Sequence, residues 1–164
     1  MQIEFGGGNN PRRPSYKQVD IRKFDGISYV CNSWEIDQYI SEDSVTEIYS
    51  RHFFEHLTHS QALRTLKAWH KILKTGGRVH LICPNMDFHL KQWYNWKNLS
   101  EKEKNHCRAG LWGWQKQGDE SAWDLHKSGY DFNKLREIVE SKGYTKVRNL
   151  DHPGSKHLEI EFFK

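Results

Sequence analysis

A strand–helix–strand unit between residues 44 and 84 is the feature that most restricts how this chain can fold. Residues 44–50 (SVTEIYS) have the composition of a strand, and residues 60–74 carry apolar side chains at helical spacing. Residues 78–83 (RVHLIC) follow as a buried strand. Because the links between these elements are short, they predict a βαβ unit and therefore a parallel sheet.

The ends of this helix can also be predicted. Its apolar stripe consists of Ala62, Leu63, Leu66, Trp69, Ile72 and Leu73. Ser60 is the expected N-cap, and Gly76 and Gly77 are expected to stop the helix before the next strand.

The first part of the chain predicts strands with unusually short links. Strand patterns at residues 2–5, 17–21 and 27–31 are separated by segments too short for ordinary crossover helices. Either these strands pair as a hairpin, or the crossover helices are reduced to loops. In the second case one face of the sheet is thinly covered, and a partner subunit could close it as a homodimer.

The last part of the chain predicts a helix and a hairpin. Residues 132–142 form a helix with Asp131 as its cap, and strands follow at 144–150 and 157–163. The HPGS turn between these strands favours antiparallel pairing, which adds an antiparallel edge to the sheet.

Residues 86–130 are the least regular and are rich in Trp. Residues 87–97 are compatible with a helix, whereas residues 98–128 have no clear period. Interleaved Trp and Lys residues could stack on bases or sugar rings. The favoured interpretation is a lid or substrate insertion whose Trp residues, Trp123 among them, fill the core.

Bulk composition limits the class of protein. A chain of 164 residues with 13% aromatic residues fits one globular domain, residues 1–164. A mixed charge of +4 without a long basic block is mild for a dedicated nucleic-acid binder. Three dispersed cysteines favour buried free thiols and a reducing, cytoplasmic setting. We expect no signal peptide, because a strand pattern begins at Gln2, and no membrane segment.

Two strand ends carry the groups of a nucleotide site. Gly6–Gly8 follow the first strand, where backbone N–H groups can approach a ligand closely. Asp20 ends the second strand, where a carboxylate can accept hydrogen bonds from both ribose hydroxyls. This pairing predicts a nucleotide-type ligand at the carboxyl edge of the sheet.

The segment HFFEH, residues 52–56, matches the inverted zinc-peptidase pattern H-x-x-E-H. A third ligand would be needed, and Glu137 and Glu140 are the downstream candidates. The pattern is short, and the alternative is that His52 ends a strand while Glu55 begins the helix in a cap or salt bridge. We therefore predict no metal site.

The order of these motifs resembles the small class I S-adenosylmethionine-dependent methyltransferases called methyltransferase type 11. A branch of that family has a loop in place of its first helix. The resemblance rests on IEFGGGNNPRRPSYKQVDI (3–21), CNSWEI (31–36), SEDSVTEIYSRHFFEHL (41–57), LKAWHKILKTGGRVHLICPN (66–85) and HKSGYDFNKLREIVESKGYTKVRNL (126–150).

The resemblance implies an α/β, Rossmann-like class I methyltransferase fold whose sheet is mostly parallel, with an antiparallel C-terminal strand and early crossover helices reduced to loops. The cofactor would be S-adenosylmethionine. By analogy Glu4 would shape the glycine loop, Gly6, Gly7 and Gly8 would approach the methionine moiety, and Asp20 would bind the ribose.

The remaining implied contacts lie farther along the chain. Ile21 would flank the adenine, and Asn32, which stands where the family usually has Asp, would contact its edge together with Ser33. The residues placed beside the sulfonium methyl are Ser50, Arg51 and His52.

Methyl transfer requires alignment of donor and acceptor, and a base where the acceptor must lose a proton. His52 is the first candidate base because it follows a strand, and His126 is the second because it ends the lid. The expected acceptor is a small molecule or a sugar. The alternatives are transfer to nucleic acid or protein, and a non-catalytic S-adenosylmethionine-binding module.

Overall fold

The computed structural model describes residues 1–115 and 124–164, in which seven strands form one sheet. The strands are β1 (Gln2–Phe5), β2 (Lys17–Asp20), β3 (Ile27–Val30), β4 (Val45–Arg51), β5 (Leu73–Pro84), β6 (Thr145–Asn149) and β7 (His157–Phe163). The α-helices are α1 (His59–Ile72), α2 (Met86–Tyr94), α3 (Glu101–Trp112) and α4 (Phe132–Glu140). Short 3₁₀ turns lie at Ser33–Gln38, Phe54–His56 and Trp96–Asn98.

The strand order is β3-β2-β1-β4-β5-β7-β6. Strands β1 to β5 are parallel to one another, and β7 is antiparallel to both β5 and β6. The chain therefore has the predicted Rossmann-like α/β architecture. The antiparallel strand is inside the sheet and not at its edge, because β7 folds back from the β6 hairpin into the gap beside β5.

The early links are loops between parallel strands, so the hairpin alternative is wrong. β1 pairs with β2, and β2 with β3, in parallel register although only residues 6–16 and 21–26 connect them. Buried Glu4 holds the first loop in place of a helix, since its carboxylate accepts the backbone N–H groups of Arg12 and Arg13 at 2.9 and 2.7 Å.

One face of the sheet is apolar and carries the core. Phe5 of β1 lies 4.9 Å, centroid to centroid, from Trp69 of α1, a side chain that is fully buried. The 3₁₀ turn at Ser33–Gln38 and helix α4 contribute Ile36, Leu135 and Val139 to the same core. Strand and helical side chains therefore share the apolar burial on this face.

The other face is polar, and the loop 6–16 lies over part of it. Arg13 covers the Tyr49 ring at 4.9 Å, while Arg78 bridges Glu47 and Glu161 at 3.4 and 2.9 Å. Such a face is stable against water without a partner subunit. The homodimer stays a prediction. An apolar surface would favour it, but this face of the sheet carries ion pairs.

The predicted cap of α1 is wrong by two residues. Thr58, and not Ser60, is the N-cap: its hydroxyl accepts the Gln61 N–H at 3.3 Å, and Gln61 returns a bond to the Thr58 N–H at 2.9 Å. The helix ends at Ile72, before the glycines, because Leu73 is already extended and pairs with Val45.

Thr58→Ala should lower the free energy of unfolding by about 1 kcal/mol, because the hydroxyl that accepts the Gln61 N–H is lost. Ser60→Ala should change it by less than about 0.5 kcal/mol, since Ser60 is exposed and is not the cap. Urea denaturation of both variants measures the difference. Equal losses would contradict the assignment of Thr58 as the cap.

The Trp-rich segment contains a helix that the sequence does not reveal. α3 begins at a capping box formed by Ser100 and Glu103, and it packs on α2 through small or polar side chains. Cys107 donates to the backbone oxygen of buried His89 at 3.4 Å, and Gly110 lies against the His89 ring. The buried part of this contact has no large apolar residues, so no helical period is visible.

The prediction that the Trp residues of this segment fill the core is wrong for those that the structure describes. Trp93, Trp112 and Trp114 are exposed, and the first two pack on each other with ring centroids 5.0 Å apart. Trp123 is outside the described residues. The role of residues 86–130 as a lid stays a prediction.

Within residues 1–115 and 124–164, none of the helices has the length and apolar character needed to cross a membrane. Cys31, Cys83 and Cys107 are free and buried, as expected, and the cytoplasmic setting stays a prediction.

Candidate functional site

A cleft of about 440 Å³ opens at the carboxyl ends of β1, β2, β3 and β4. Parallel α/β sheets bind ligands at this edge, where strand order reverses between β1 and β4. Of the predicted cofactor residues, the cleft is lined by Gly6, Asp20, Ile21, Asn32, Ser33 and His52.

Gly6 forms the floor of the cleft. Its φ of +75° is in the left-handed region, and a Cβ added there would lie 2.6 Å from Phe53 Cβ. Gly7 and Gly8 are not lining residues: a Cβ on Gly7 would meet Gln18 and Pro11, and Gly8 turns toward Arg22. The structure therefore assigns close approach to one glycine and turn geometry to the others.

Asp20 presents a buried carboxylate at the end of β2. Its Oδ1 accepts the Arg22 N–H at 2.9 Å and pairs with the Arg22 guanidinium at 3.3 Å. Because the Arg22 side chain is 44% exposed, the pair is partly solvated and can open at low cost. The carboxylate is thus held in place by backbone while it faces the cleft.

Asn32 and Ser33 also line the cleft, and they differ in whether the side chain is free to bind a ligand. Asn32 donates through Nδ2 to Glu35 at 3.0 Å, which leaves its Oδ1 for an acceptor role. Ser33 is buried, and its hydroxyl is 2.7 Å from that of Thr65. Ser33 therefore fixes the wall to α1, and its side chain is already engaged.

The placement of Ser50 and Arg51 beside the sulfonium methyl stays a prediction, although neither residue lines this cleft. Ser50 points into the core and is fully buried, while Arg51 follows the polar face, and neither lines the cleft. Alternation along β4 sends these side chains to opposite faces. His52 reaches the cleft because its φ of +49° turns the chain out of the strand.

His52 is coupled to a buried carboxylate. Its Nδ1 is 3.1 Å from Oε1 of Glu55, whose side chain is 2% exposed. A carboxylate on Nδ1 favours the Nδ1–H tautomer, so Nε2 is left as the basic atom. This unit arises in a 3₁₀ turn at Phe54–His56, so the helical H-x-x-E-H arrangement is wrong.

A second cavity of about 290 Å³ adjoins the cleft, and His52, His56 and Asp124 line both. Further histidines dominate its lining: His89, His106, His126 and His157. His52 therefore lies where the two cavities meet.

His126 lies in this second cavity. Its Nδ1 bonds the backbone oxygen of Gly110 at 3.1 Å, and its Nε2 is 3.9 Å from Glu55 Oε1. Burial lowers the pKa of His126, and neighbouring His56 lowers it further although Glu55 opposes the shift. The imidazole is therefore neutral at physiological pH.

Glu137 and Glu140 do not join this site. Both are exposed on α4, and Glu140 pairs with Arg136 at 2.8 Å. The residue that approaches Glu55 and His56 is His126, from a distant part of the chain. The zinc-peptidase interpretation of HFFEH is thus wrong in both its helix and its third ligand.

His157 is held neutral at the back of the second cavity. Burial lowers its pKa to about 4, helped by the neighbouring charges of His52, Arg51, Lys156 and His89. In the unfolded chain a histidine has a pKa of about 6.5. The unfolded state therefore binds more protons between these two values, and stability falls as pH falls through that range.

His157→Gln should reduce the loss of stability between pH 7 and pH 5, because this proton uptake on unfolding disappears. His59→Gln changes an exposed position, so between pH 7 and pH 5 this variant should lose as much stability as the unchanged protein does. Urea denaturation in the presence of a chelator at both pH values is the measurement. An acid response of His157→Gln identical to that of His59→Gln would refute the assignment.

Sequence reasoning missed several lining residues of the cleft, and the structure adds Trp34, Phe53, Leu57, Gln61, Asp124 and Lys127. Trp34 and Phe53 directly follow predicted site residues, so the sequence could have indicated that they lie close to the site. Asp124 and Lys127 come from the far end of the Trp-rich segment, and no local pattern indicates them.

The fold is that of class I S-adenosylmethionine-dependent methyltransferases. A structure of such an enzyme from Archaeoglobus fulgidus is similar with a TM-score of 0.68 and 14% identity, over 99% of this chain and 85% of that one. A possible histamine N-methyltransferase from Thermotoga maritima has a TM-score of 0.68 and 15% identity, over 100% of this chain and 82% of that one.

A third similar structure carries the cofactor. Phosphoethanolamine N-methyltransferase 2 from Haemonchus contortus, in complex with S-adenosyl-L-methionine, has a TM-score of 0.55 and 16% identity, over 91% of this chain and 34% of that one. No family model and no curated protein matches the chain, so the type 11 assignment stays a prediction.

Proposed function

We propose that this protein binds S-adenosylmethionine in the 440 Å³ cleft and transfers its methyl group to a small molecule or sugar in the adjoining cavity. The observation that carries the proposal is the cleft with Asp20 at the carboxyl edge of the sheet, joined to a second cavity through His52. Structural neighbours that are S-adenosylmethionine-dependent methyltransferases support it.

The cleft fits the cofactor by its chemistry. Asp20 would bind the ribose hydroxyls through Oδ2 and, once Arg22 swings away, through Oδ1. Asn32 Oδ1 would accept the adenine amino group, and Ile21 and Trp34 would flank the ring. Gly6 would bring backbone close to the methionine moiety. A phosphate ligand would instead favour a helix N-terminus, and β1 is followed by a loop.

The second cavity supports a small acceptor. Its volume of about 290 Å³ is at the lower end of small-molecule sites. Trp114 lines it and is exposed, so its ring could stack on the apolar face of a sugar. Two of the similar proteins, the possible histamine N-methyltransferase and phosphoethanolamine N-methyltransferase 2, are named for amine acceptors, and both acceptors are small molecules.

Bound S-adenosylmethionine would supply a sulfonium methyl group, which is already activated for in-line displacement. The chain's contribution is to align the acceptor, to exclude water and to take a proton. His52 would act as the base through Nε2, because Glu55 holds the proton on Nδ1 and stabilises the imidazolium that forms. His126 is a weaker candidate because both of its nitrogens already face protein groups.

Isothermal titration calorimetry with S-adenosylmethionine and S-adenosylhomocysteine tests the donor site. We expect one site per chain with micromolar affinity for both. Absence of heat and of a thermal shift with either ligand would refute the proposal. Binding without methyl transfer to any acceptor would instead support the non-catalytic module.

A screen of sugars, amines and phenols for S-adenosylhomocysteine release tests the acceptor class. With an acceptor in hand, His52→Ala should lower kcat strongly and leave donor affinity unchanged, whereas normal turnover would exclude His52 as the base. A steep fall of acceptor binding with salt would instead favour nucleic acid, to which the exposed Trp93 and Trp112 could contribute stacking.

A further inference from the structure

Three potential metal ligands converge on the wall of the second cavity. Glu55, His56 and His126 each offer one ligand atom, and these atoms all lie within 4.8 Å of one another. Glu55 and His56 come from the turn after β4, whereas His126 comes from the end of the Trp-rich segment. Tertiary folding alone brings them together.

Both imidazoles are oriented as metal ligands usually are. His56 Nδ1 bonds the backbone oxygen of Leu125 at 3.0 Å, and His126 Nδ1 bonds that of Gly110 at 3.1 Å. Carbonyl acceptors require an N–H at each Nδ1, so in the neutral form each Nε2 carries a lone pair. Metal-binding histidines are typically held by this kind of second contact.

The carboxylate provides an independent indication. Glu55 is 1% exposed, and while its Oε1 bonds His52, its Oε2 has no hydrogen-bond partner among the described residues. A buried carboxylate oxygen without a partner destabilises the fold, because it has lost its water without gaining a hydrogen bond. A cation bound at Oε2 would remove that cost.

We propose that Glu55, His56 and His126 bind one divalent transition-metal ion, with Zn²⁺ as the ion that fits best. Two imidazole nitrogens and one carboxylate oxygen form a ligand set used by catalytic zinc sites, which keep a further position open. Mg²⁺ and Ca²⁺ prefer oxygen ligands and are disfavoured here. Bonds of 2.0–2.2 Å place tetrahedral ligand atoms about 3.4 Å apart, so small side-chain rotations close the site.

The open position faces the cavity that also contains His52. If the cavity holds the methyl acceptor, which rests on the proposed function, the ion would bind an acceptor oxygen or nitrogen. It would orient that atom and lower its pKa, while His52 takes the proton. The acceptor class would then be narrowed to molecules with a metal-binding hydroxyl, catechol or amine group.

Zinc titration of chelator-treated protein tests the site without any donor or acceptor. We expect the unchanged protein to bind one equivalent of Zn²⁺. The dissociation constant should rise by at least about 10–100-fold in Glu55→Gln, His56→Gln and His126→Gln, since each variant lacks a direct ligand. Co²⁺ should give the visible absorption of a low-symmetry nitrogen–oxygen site, and the same variants should abolish it.

His106→Gln is the matched control, because His106 lines the same cavity but is outside the cluster. It should bind zinc as the unchanged protein does. Less than about a tenth of an equivalent bound by the unchanged protein, or equal affinity in His126→Gln and His106→Gln, would overturn the metal site. Thermal melting in chelator shows whether each variant folds.

Donor calorimetry in chelator separates this proposal from the proposed function. S-adenosylhomocysteine binding without zinc binding would refute only the proposed metal site. Zinc binding without any donor binding would refute only the proposed methyltransferase function.

Discussion

Asp20→Ala should weaken the binding of S-adenosylhomocysteine by about 10–100-fold, because hydrogen bonds to a charged acceptor contribute about 1.5–3 kcal/mol. Asp20 is buried at the end of β2 and lines the cleft, so no other described carboxylate of that strand end can replace it. Isothermal titration calorimetry of the variant measures the loss directly.

Two further variants make the Asp20 result specific. Asp25→Ala removes an exposed carboxylate from the following loop and should leave donor affinity unchanged. Asp20→Asn keeps the shape of the side chain and one acceptor oxygen. Its donor affinity should therefore lie between those of Asp20→Ala and Asp25→Ala. Unchanged affinity in Asp20→Ala would mean that the ligand of this cleft has no ribose at this point.

Gly6→Ala should reduce donor affinity by more than about tenfold and lower the melting temperature. A residue other than glycine in the left-handed region costs about 1–2 kcal/mol, which lowers the melting temperature by about 2–8 °C for a chain of this size. The new Cβ would also lie 2.6 Å from Phe53 Cβ, and Phe53 lines the cleft. Displacement of Phe53 therefore adds a loss of binding to the loss of stability.

Gly154→Ala separates the two effects. Its φ of +84° carries a similar backbone cost, but no atom lies within 4 Å of a Cβ built there, and it is in the hairpin turn between β6 and β7. This variant should lose stability and keep donor affinity. If Gly6→Ala kept its affinity as well, the close approach of Gly6 to a ligand would be disproved.

Local patterns predicted the regular part of the fold. The apolar stripe of α1 and its flanking strands specify a βαβ unit, and the HPGS turn specifies the final hairpin. These features are readable because each depends on residues close in sequence. The trimmed crossovers followed from the resemblance, since segment length alone left a hairpin open.

Features that depend on side-chain partners were predicted less well. The N-cap of α1 shifted from Ser60 to Thr58 because Gln61 completes a reciprocal pair with Thr58. Helix α3 was missed because it packs through Cys107 and Gly110, which give no apolar period. Ser50 and Arg51 do not line the cleft, because strand alternation, and not closeness to the strand end, decides which side chains reach it.

The sequence by itself determined the parallel sheet, the glycine at its first turn and the carboxylate of Asp20 at its second strand end. Only the tertiary structure decided that His126 meets Glu55 and His56, which form the candidate metal site. The physical reason is that the first group follows from backbone periodicity and strand direction. The second depends on how residues 124–130 pack beside the turn after β4, where Lys127 and Ser128 bond the Glu55 backbone oxygen.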